Sequence, residues 1–367
     1  MRNWRDWRND LLASPRFQAF AARFPLTRPI TTRRAREAFD LAAGFVYTQI
    51  LHACVELDLF EHLRAGPLPL GELAARMSLP LDGAERLLRA AVALKLIEAR
   101  GAQRFGLGPH GAALLGNSGA LSMVRHHRIL YEDLADPVGL LRGDGPPTRL
   151  SRFWAYARGE DRAGVSDAEV SVYSALMTES QTLVRSDILD AISLKDARQL
   201  VDIGGGEGAF AAEAAKRWPQ LNALVFDLPA VAARARSRFE QLGLAARATA
   251  KGGDFYRDEL PAGADVMTLV RVLHDHDDSA AQALLQKIQR SLAPGGRLVI
   301  AEPMAGTKGA EAMGDAYFGI YLLAMGSGRP RPVEEILTML HSAGFASART
   351  VSTPRPMLVS VIVAIKA

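Results

Sequence analysis

From residue 199 onward, short apolar runs alternate with helical patterns, and this alternation restricts the fold more than any other feature of the sequence. The apolar runs are QLVDI, LNALVFD, ARATAKG, DVMTLVRVL and GGRLVIAE, and two further runs, ASARTVS and MLVSVIVAIK, lie near the end of the chain. Strands this apolar are typical of a parallel sheet that helices cover on both faces. The sequence therefore predicts an α/β fold with a doubly wound, mostly parallel sheet and an antiparallel last strand.

Polar or glycine-rich segments follow five of these predicted strands. They are the glycine loop Gly204–Gly208, Asp227, Asp254, His274 and Glu302. Ligands of doubly wound sheets bind beyond the carboxyl ends of the strands. We therefore expect these five segments to line one site at that edge of the sheet.

The glycine loop restricts the kind of ligand. Gly204, Gly206 and Ala209 match a nucleotide-binding pattern, and Asp227 lies 19 residues after Gly208, where an acid that binds ribose is expected. A ribose occurs both in NAD and in S-adenosylmethionine. The spacing alone therefore leaves both cofactors open.

Acidic residues around the loop separate the two cofactors. Asp202 precedes the loop and Glu207 lies within it, and both would repel the pyrophosphate of a dinucleotide. S-adenosylmethionine instead carries an ammonium and a sulfonium, which carboxylates attract. Asp254 could accept a hydrogen bond from an adenine amino group, and Phe255 could stack on the ring. The residues favour S-adenosylmethionine, with an NAD-dependent oxidoreductase as the alternative enzyme.

The segment LVRVLHDHDDSA contains two histidines and three aspartates and raises the question of a metal site. A catalytic metal needs three converging protein ligands and an open position. Asp277 or Asp278 instead fits the N-cap of the following helix, and His274 fits a catalytic base. We therefore expect no metal, and the role of His276 stays open.

Residues 1–40 form a basic arm with interleaved aromatic residues. Within residues 1–36, nine arginines stand against two aspartates, a net charge of +7, whereas the whole chain carries +4. Arginine and aromatic side chains together are typical of segments that lie on an anionic membrane surface. The same composition suits an arm that docks on a partner subunit, and the sequence leaves both interpretations open.

Residues 41–115 have the pattern of a winged helix, and residues 116–198 predict a helical linker that lines the substrate pocket. Two helices are predicted over 70–77 and 82–94, followed by a two-stranded wing. The second helix is mostly apolar rather than basic, so it favours packing against another subunit over DNA binding. A winged-helix regulator that senses a ligand stays the alternative outside the enzymes.

Composition and length bound the remaining possibilities. A chain of 367 residues with 49% apolar residues has enough length for two domains. The single cysteine, Cys54, cannot form an internal disulfide, which is typical of a reducing cytoplasm. No signal-peptide pattern or run of ~20 apolar residues is evident. We expect a cytoplasmic protein that is at most peripheral at the inner membrane.

The motifs together resemble a known enzyme family. LVDIGGGEG, FDLPAV, GGDF, LHDHDD and LAPGGRLVIAEP are similar to the small-molecule O-methyltransferases of the caffeate and hydroxyindole type. That family combines a winged-helix dimerisation domain with a Rossmann-like S-adenosylmethionine domain. Within it, the arm, HHRILYEDLADPV and GDAYFGIYLLAMGSGRPR most resemble the bacterial hydroxycarotenoid (demethylspheroidene) O-methyltransferases.

The resemblance implies a role for each motif residue. It implies a homodimer, S-adenosylmethionine without a metal, and methyl transfer to the tertiary 1-hydroxyl of a hydroxycarotenoid, with a phenol or hydroxyindole as the alternative acceptor. The implied catalytic residues are His274 as base, Asp275 beside it and Glu302, which orients the base. The implied cofactor-binding residues are Asp202, Gly204, Gly206, Gly208, Asp227, Leu228, Asp254 and Phe255.

An apolar acceptor also requires a long pocket. The aromatic and methionine-rich segments supply candidates for its wall, namely Trp154, Met177, Tyr317, Phe318, Tyr321, Leu322 and Met325. The role of Arg271 stays open, because it could serve the site or only a surface pair. The role of Glu334 stays open because plant members of the family carry a further glutamate at the position that Val333 holds here, with Glu334 next to it.

Overall fold

The computed structural model describes residues 3–101, 103–154 and 182–367. The chain divides into two compact units, Met1–Asn117 and Ser118–Ala367. The four-part division expected from the sequence stays a prediction.

Three helices begin the first unit, namely α1 (Trp4–Ala13), α2 (Pro15–Arg23) and α3 (Arg28–Glu56). Ser14 caps α2, because its hydroxyl accepts a hydrogen bond from the backbone N–H of Phe17. Residues 28–40, the last part of the basic arm, form the beginning of α3. Pro29 lies in the first turn of α3, where its missing N–H would have had no helical partner, so it starts the helix instead of breaking it.

The rest of the first unit forms the winged helix. Its elements are α4 (Leu59–His62), β1 (Leu68–Pro69), α5 (Leu70–Arg76), α6 (Leu81–Ala93), β2 (Ile97–Ala99), β3 (Arg104–Leu107) and α7 (Pro109–Leu115). The strands pair antiparallel in the order β1-β3-β2. Leu73, Leu88 and Ile97 are fully buried and hold the helices against the wing. Helix α6 was predicted to begin at residue 82, but it begins at Leu81, with Pro80 at its N-cap position. Asp82 lies in the first turn and pairs with Arg86 one turn later.

Helix α3 has an exposed apolar surface. Only Cys54 and Val55 are buried along its length. Among the described residues, α3 is the helix that is long and apolar enough to cross a membrane. Core and interface helices share that length and composition, so the property does not by itself indicate a span.

The second unit begins with helices and continues as an α/β domain. The helices before the sheet are α8 (Ser118–Asp133), α9 (Pro137–Arg142), α10 (Arg149–Trp154) and α11 (Thr182–Ala191). The strands are β4 (Gln199–Ile203), β5 (Asn222–Asp227), β6 (Ala248–Gly252), β7 (Ala264–Val270), β8 (Leu292–Glu302), β9 (Phe345–Val351) and β10 (Ser360–Lys366). The helices between them are α12 (Ala209–Arg217), α13 (Pro229–Gln241), α14 (Asp278–Ser291), α15 (Gly319–Met325) and α16 (Val333–Ser342).

The seven strands lie in the order β6-β5-β4-β7-β8-β10-β9. Strands β4 to β8 pair in parallel, and β10 runs antiparallel between β8 and β9. This confirms the predicted fold class. The strand order reverses between β4 and β7, so the crevice for a ligand opens where these two strands end.

Both faces of the sheet are covered. Leu200, Val266 and Val299 belong to a core cluster that includes residues of α11, α12 and α13. Their chain neighbours Met267 and Ile300 belong to a second cluster that includes residues of α14 and α16. Because successive strand residues face opposite sides, the continuous apolar runs fill both clusters. Little besides the carboxyl edge of the sheet is then left for polar side chains.

Candidate active site

The loop after β4 is built from glycines in left-handed conformation. Gly204, Gly206 and Gly208 have φ angles of 65°, 59° and 76°. A Cβ on Gly208 would overlap the ring of Phe239, and one on Gly204 would lie 2.9 Å from Val272 Cγ2. Among the described residues, no atom lies within 4 Å of the Cβ position of Gly206. The loop is therefore tightly packed at Gly204 and Gly208. The described residues leave open space above Gly206, on the side where its Cβ would lie.

Two carboxylates border this loop. Asp202 is fully buried, its Oδ1 accepts a 2.6 Å hydrogen bond from Thr268 Oγ1, and its Oδ2 has no hydrogen-bond partner among the described residues. Burial raises the pKa of Asp202 to about 7. Asp227 Oδ2 accepts from the N–H of Gly206 at 2.8 Å and its Oδ1 from the N–H of Leu228 at 2.7 Å, and burial raises the pKa of Asp227 to about 6. A buried carboxylate oxygen without a partner fits a cationic ligand group and would repel a phosphate.

Aromatic rings gather on the loop that follows β6. His276 packs edge-on against Phe255 and Tyr256, with ring centroids 5.4 and 5.2 Å away. Asp254 Oδ1 accepts from the N–H of Tyr256 at 2.8 Å, and Lys287 Nζ donates to the carbonyl of Phe255 at 2.9 Å. Burial lowers the pKa of His276 to about 4, so its ring is neutral. The sequence left the role of His276 open, and in the structure its neutral ring packs as part of this aromatic group.

His274 lies beyond β7 in a turn of 3₁₀ helix, Leu273–Asp275. The sequence predicts a strand that runs as far as Leu273, directly before His274, but β7 ends at Val270. Arg271 follows with a φ of 56°, which a strand cannot continue. This turn places the side chain of His274 inside the second unit, where it is 3% exposed.

The ring of His274 contacts one acid, and its backbone contacts another. Its Nε2 lies 3.2 Å from Asp275 Oδ1, and its Nδ1 has no hydrogen-bond partner within the described part of the chain. Glu302, fully buried at the end of β8, accepts a 3.1 Å hydrogen bond from the backbone N–H of His274. The resemblance implied that Glu302 orients the ring; the structure places Asp275 at the ring and Glu302 at the backbone.

These acids set the charge state of the imidazole. Burial lowers the pKa of His274, but Asp275 and then Glu302 act in the opposite direction, and the pKa ends above its ordinary value. Burial raises the pKa of Glu302, and the nearby His274 partly offsets this. The arrangement therefore stabilises an imidazolium at His274 once a proton arrives there.

The side chains of the two aspartates at the start of α14 bind other segments of the chain. Asp277 occupies the N-cap position, but its side chain makes no cap hydrogen bond, and its Oδ1 accepts from the N–H of Gly328 at 2.9 Å. Asp278 binds the guanidinium groups of Arg329 and Arg331. The predicted N-cap position is therefore confirmed for Asp277, but its side chain does not bond to the first turn of the helix. Across residues 3–101, 103–154 and 182–367, no three His, Cys, Asp or Glu side chains group as metal ligands.

A row of aromatic rings leads away from His274. A π-helix, Ala312–Phe318, precedes α15 and brings Phe318 to 5.8 Å from the His274 ring. Tyr317 bonds His127 Nε2 at 2.7 Å, and Tyr321 bonds His126 Nε2 at 2.8 Å. A π-turn of this kind is frequent at functional sites. The adjacent histidines of α8 were missed from the sequence, although their pairing on a helix was a possible signal.

The expected pocket residues differ in their surroundings. Tyr317 and Phe318 are partly exposed next to the site. Tyr321, Leu322 and Met325 are buried in a cluster with other apolar residues of the second unit. The side chain of Trp154 and all of Met177 lie outside the described residues.

Family models match both parts of the chain. An O-methyltransferase dimerisation domain matches residues 39–117, and an O-methyltransferase domain matches residues 131–346. The first falls within the first compact unit and the second within the second unit.

Individual relatives match over nearly the full length. The demethylspheroidene O-methyltransferase of Cereibacter sphaeroides is 42% identical, covering 97% of this chain and 93% of the relative. That of Rhodobacter capsulatus is 43% identical over 95% of this chain and 86% of the relative. Human N-acetylserotonin methyltransferase, solved in complex with SAM, aligns with a TM-score of 0.76 at 27% identity, covering 91% of this chain and 98% of that structure.

Proposed function

The chain belongs to the O-methyltransferase family and is an S-adenosylmethionine-dependent enzyme, and we propose that His274 is the general base of its methyl transfer. The resemblance noted from the sequence motifs is thereby confirmed. The observation that supports the role of His274 is its buried ring, which has one nitrogen at Asp275 and the other without a hydrogen-bond partner among the described residues.

The base acts through Nδ1. A carboxylate only accepts hydrogen bonds, so the neutral imidazole keeps its proton on Nε2, toward Asp275, and presents a lone pair at Nδ1. An alcohol has a pKa far above that of histidine. His274 therefore takes the proton as the new O–C bond forms, and not beforehand. Asp275 and Glu302 then stabilise the imidazolium, as an acid does in a Ser-His-Asp triad.

The cofactor site is proposed on the geometry of the glycine loop. When bound, S-adenosylmethionine supplies an electrophilic methyl group on a sulfonium. The unpartnered oxygen of Asp202 and the open space above Gly206 suit its cationic amino-acid part. The remaining residues of the site are assigned to the loop backbone (Gly204, Gly208), the ribose (Asp227) and the adenine (Leu228, Asp254, Phe255).

The proposed acceptor is a hydroxyl on an apolar molecule, of which the tertiary 1-hydroxyl of a hydroxycarotenoid is the first candidate. The two demethylspheroidene O-methyltransferases support this, as does the aromatic row from Phe318 to Tyr321 beside His274. A phenol or hydroxyindole is the second candidate, because the mouse acetylserotonin O-methyltransferase is 32% identical over 86% of the chain.

One experiment tests the activity and the acceptor together. The purified chain is incubated with methyl-labelled S-adenosylmethionine and a panel of hydroxycarotenoids, phenols and hydroxyindoles. We expect label in a methyl ether of a hydroxycarotenoid, and the same rate with excess chelator, since the proposed mechanism uses no metal. Label in the phenols alone would reassign the acceptor, no label in any would contradict the proposal, and a loss of rate with chelator would introduce a metal.

The dimerisation domain supports a homodimer formed through the N-terminal unit. Exposed apolar side chains of α3 beyond the arm, Phe45 and Val46, lie within the residues that match this domain. Burial of such side chains between two copies would stabilise a dimer. Sedimentation velocity on the full chain tests this, and a concentration-independent monomer would contradict it.

The arm is proposed to contact an anionic membrane surface. Trp4 and Trp7 are 67% and 52% exposed and stack on each other on one side of α1. Phe20 and Phe24 stack in the same way along α2. Arginines flank both aromatic faces, and residues 1–36 of the arm carry a net charge of +7, whereas the rest of the chain carries −3. Aromatic rings with adjacent cations suit the headgroup region of anionic lipids.

Vesicle sedimentation tests this contact and the peripheral localisation that follows from it. We expect the chain to pellet with vesicles of phosphatidylglycerol and not of phosphatidylcholine, and to be released by salt. Trp4→Ala with Trp7→Ala should abolish pelleting. Leu242→Ala, an exposed apolar position in the second unit, serves as the control. Equal pelleting of both variants would contradict the role of the arm.

A further inference from the structure

Arg331 lies beside the turn that carries His274. Its side chain is 0% exposed, although it comes from the basic loop before α16. Its guanidinium donates to the carbonyl of Leu273 at 3.0 Å, to the carbonyl of His276 at 2.6 Å and to Asp278 Oδ1 at 2.8 Å. We propose that Arg331 is a positioning residue that fixes the backbone on both sides of His274 and so aims the base. This inference rests on the proposed role of His274.

The geometry of the contact explains why an arginine is needed. The two carbonyls that accept from Arg331 belong to Leu273 and His276, which bracket His274 and Asp275 in the chain. A guanidinium is planar and presents several N–H groups in a fixed fork, so it can hold both carbonyls and a carboxylate at once. A lysine ammonium is a single point on a flexible chain and cannot reproduce this spacing.

Neighbouring residues of the same loop support the turn from the same side. Ser327 Oγ donates to the carbonyl of Asp275 at 3.0 Å, and the N–H of Gly328 donates to Asp277 Oδ1. Gly328 has a φ of 75°, and a Cβ there would overlap the carbonyl oxygen of His274. We call Ser327, Gly328 and Arg331, the three residues of this loop that contact the turn, the clamp segment. It lies directly against the backbone of the base.

Besides the bonds from the clamp segment, the backbone of the turn is held by the 3.1 Å bond from the N–H of His274 to Glu302 and by two bonds within the turn. Within the turn, the N–H of Asp275 donates to the carbonyl of Val272 at 3.1 Å. The N–H of His276 donates to the carbonyl of Leu273 at 3.4 Å, which is near the limit of a hydrogen bond. The bonds from Arg331 and Ser327 are shorter. The clamp segment and Glu302 together therefore hold the backbone that carries the His274 ring and its 3.2 Å contact with Asp275.

The test compares Arg331→Lys with Arg329→Gln. Arg329 binds the same Asp278 and also Glu335, but among the described residues it makes no hydrogen bond to the turn. Its substitution therefore removes an ion pair with Asp278 and leaves the bonds to the turn in place. In the full-length enzyme with labelled S-adenosylmethionine, we expect Arg331→Lys to lower kcat about 10- to 100-fold, since misplacement by ~1 Å costs that much. Affinity for S-adenosylhomocysteine should stay within about threefold of wild type, and Arg329→Gln should stay within about threefold in kcat.

A pH profile separates positioning from mere stability. If Arg331→Lys moves Asp275 away from the ring, the acidic limb of kcat shifts to lower pH, because Asp275 raises the pKa of His274. Ser327→Ala removes one bond without burying a charge and should lower kcat severalfold with an unshifted cofactor affinity. This second variant decides the question if Arg331→Lys does not fold.

The outcomes are distinguishable. A kcat of Arg331→Lys within twofold of wild type overturns the proposed role of the clamp segment and leaves His274 as the base. If Arg331→Lys does not fold, a kcat of Ser327→Ala within twofold of wild type has the same meaning. A fall in kcat matched by an equal fall in cofactor affinity also overturns it, because the defect would then be general. Absence of methyl transfer by the wild type would remove the proposed function and the clamp together.

Discussion

From the proposed role of Asp202 we predict that Asp202→Asn weakens cofactor binding and makes the free enzyme more stable above about pH 5. Burial raises the pKa of Asp202 from 3.8 to about 7. In the unfolded chain the group ionises at its ordinary pKa, so the folded state binds the proton more tightly. The free energy of unfolding then falls by ~1.4 kcal/mol per pH unit across that window, and stops falling above it.

The expected magnitude follows from this slope. Between pH 5 and pH 7 the wild type should lose about 2–3 kcal/mol through Asp202, which is about 5–10 °C in Tm for a unit of this size. Asn does not ionise, can still accept from Thr268 Oγ1, and removes this pH dependence. The difference in Tm between variant and wild type should therefore grow in favour of Asp202→Asn as the pH rises.

The assay is thermal unfolding of the cofactor-free proteins from pH 5 to pH 8, combined with titration calorimetry of S-adenosylhomocysteine. We expect Asp202→Asn to bind about 10- to 100-fold more weakly at pH 8, the value of a hydrogen bond to a charged group. Glu240→Gln, which removes an exposed carboxyl on α13, is the control for charge alone. Parallel Tm curves for Asp202→Asn and wild type, with equal affinities, would refute the argument.

Three further substitutions test separate parts of the site. Asp275→Asn removes a group that raises the pKa of His274, so the acidic limb of the kcat–pH profile should move to lower pH. The plateau of kcat should fall about tenfold. An unmoved limb would show that Asp275 does not act on the base. Tyr317→Phe removes the bond to His127 and should raise the KM of the acceptor about 2- to 10-fold with cofactor affinity unchanged, whereas an unchanged KM would place Tyr317 outside the pocket. Gly208→Ala should lower the free energy of unfolding by at least ~2 kcal/mol in denaturant titration, because its Cβ would overlap a ring and its φ is 76°; full stability would mean that the loop is not rigid.

The sheet and the edge that carries the site could be predicted because their signals are local. Apolar strands, the glycine loop and the acids after each strand can all be recognised within a few residues, and parallel strands bring their carboxyl ends together. The strand before His274 was predicted to end at Leu273, but it ends at Val270, because Arg271 has a left-handed backbone conformation. No sequence rule marks such a residue.

Contacts between distant segments could not be predicted. Local rules assign Asp277 and Asp278 to a helix cap, but Gly328 and Arg331, about fifty residues later, take both carboxylates. GSGRPR looks like an exposed basic loop, yet Arg331 is fully buried. The π-turn before α15 likewise depends on packing, since close contact of Gly314 with the backbone at Met304 leaves no local pattern.

The proposed role of His274 is tested most directly by single-turnover methyl transfer with His274→Ala, measured beside its affinity for S-adenosylhomocysteine. We predict a rate at least about 100-fold below wild type, the usual contribution of a general base, with cofactor affinity within about threefold. A rate close to wild type at unchanged affinity would contradict the account, because the proton of the acceptor would then leave by a route that does not involve His274.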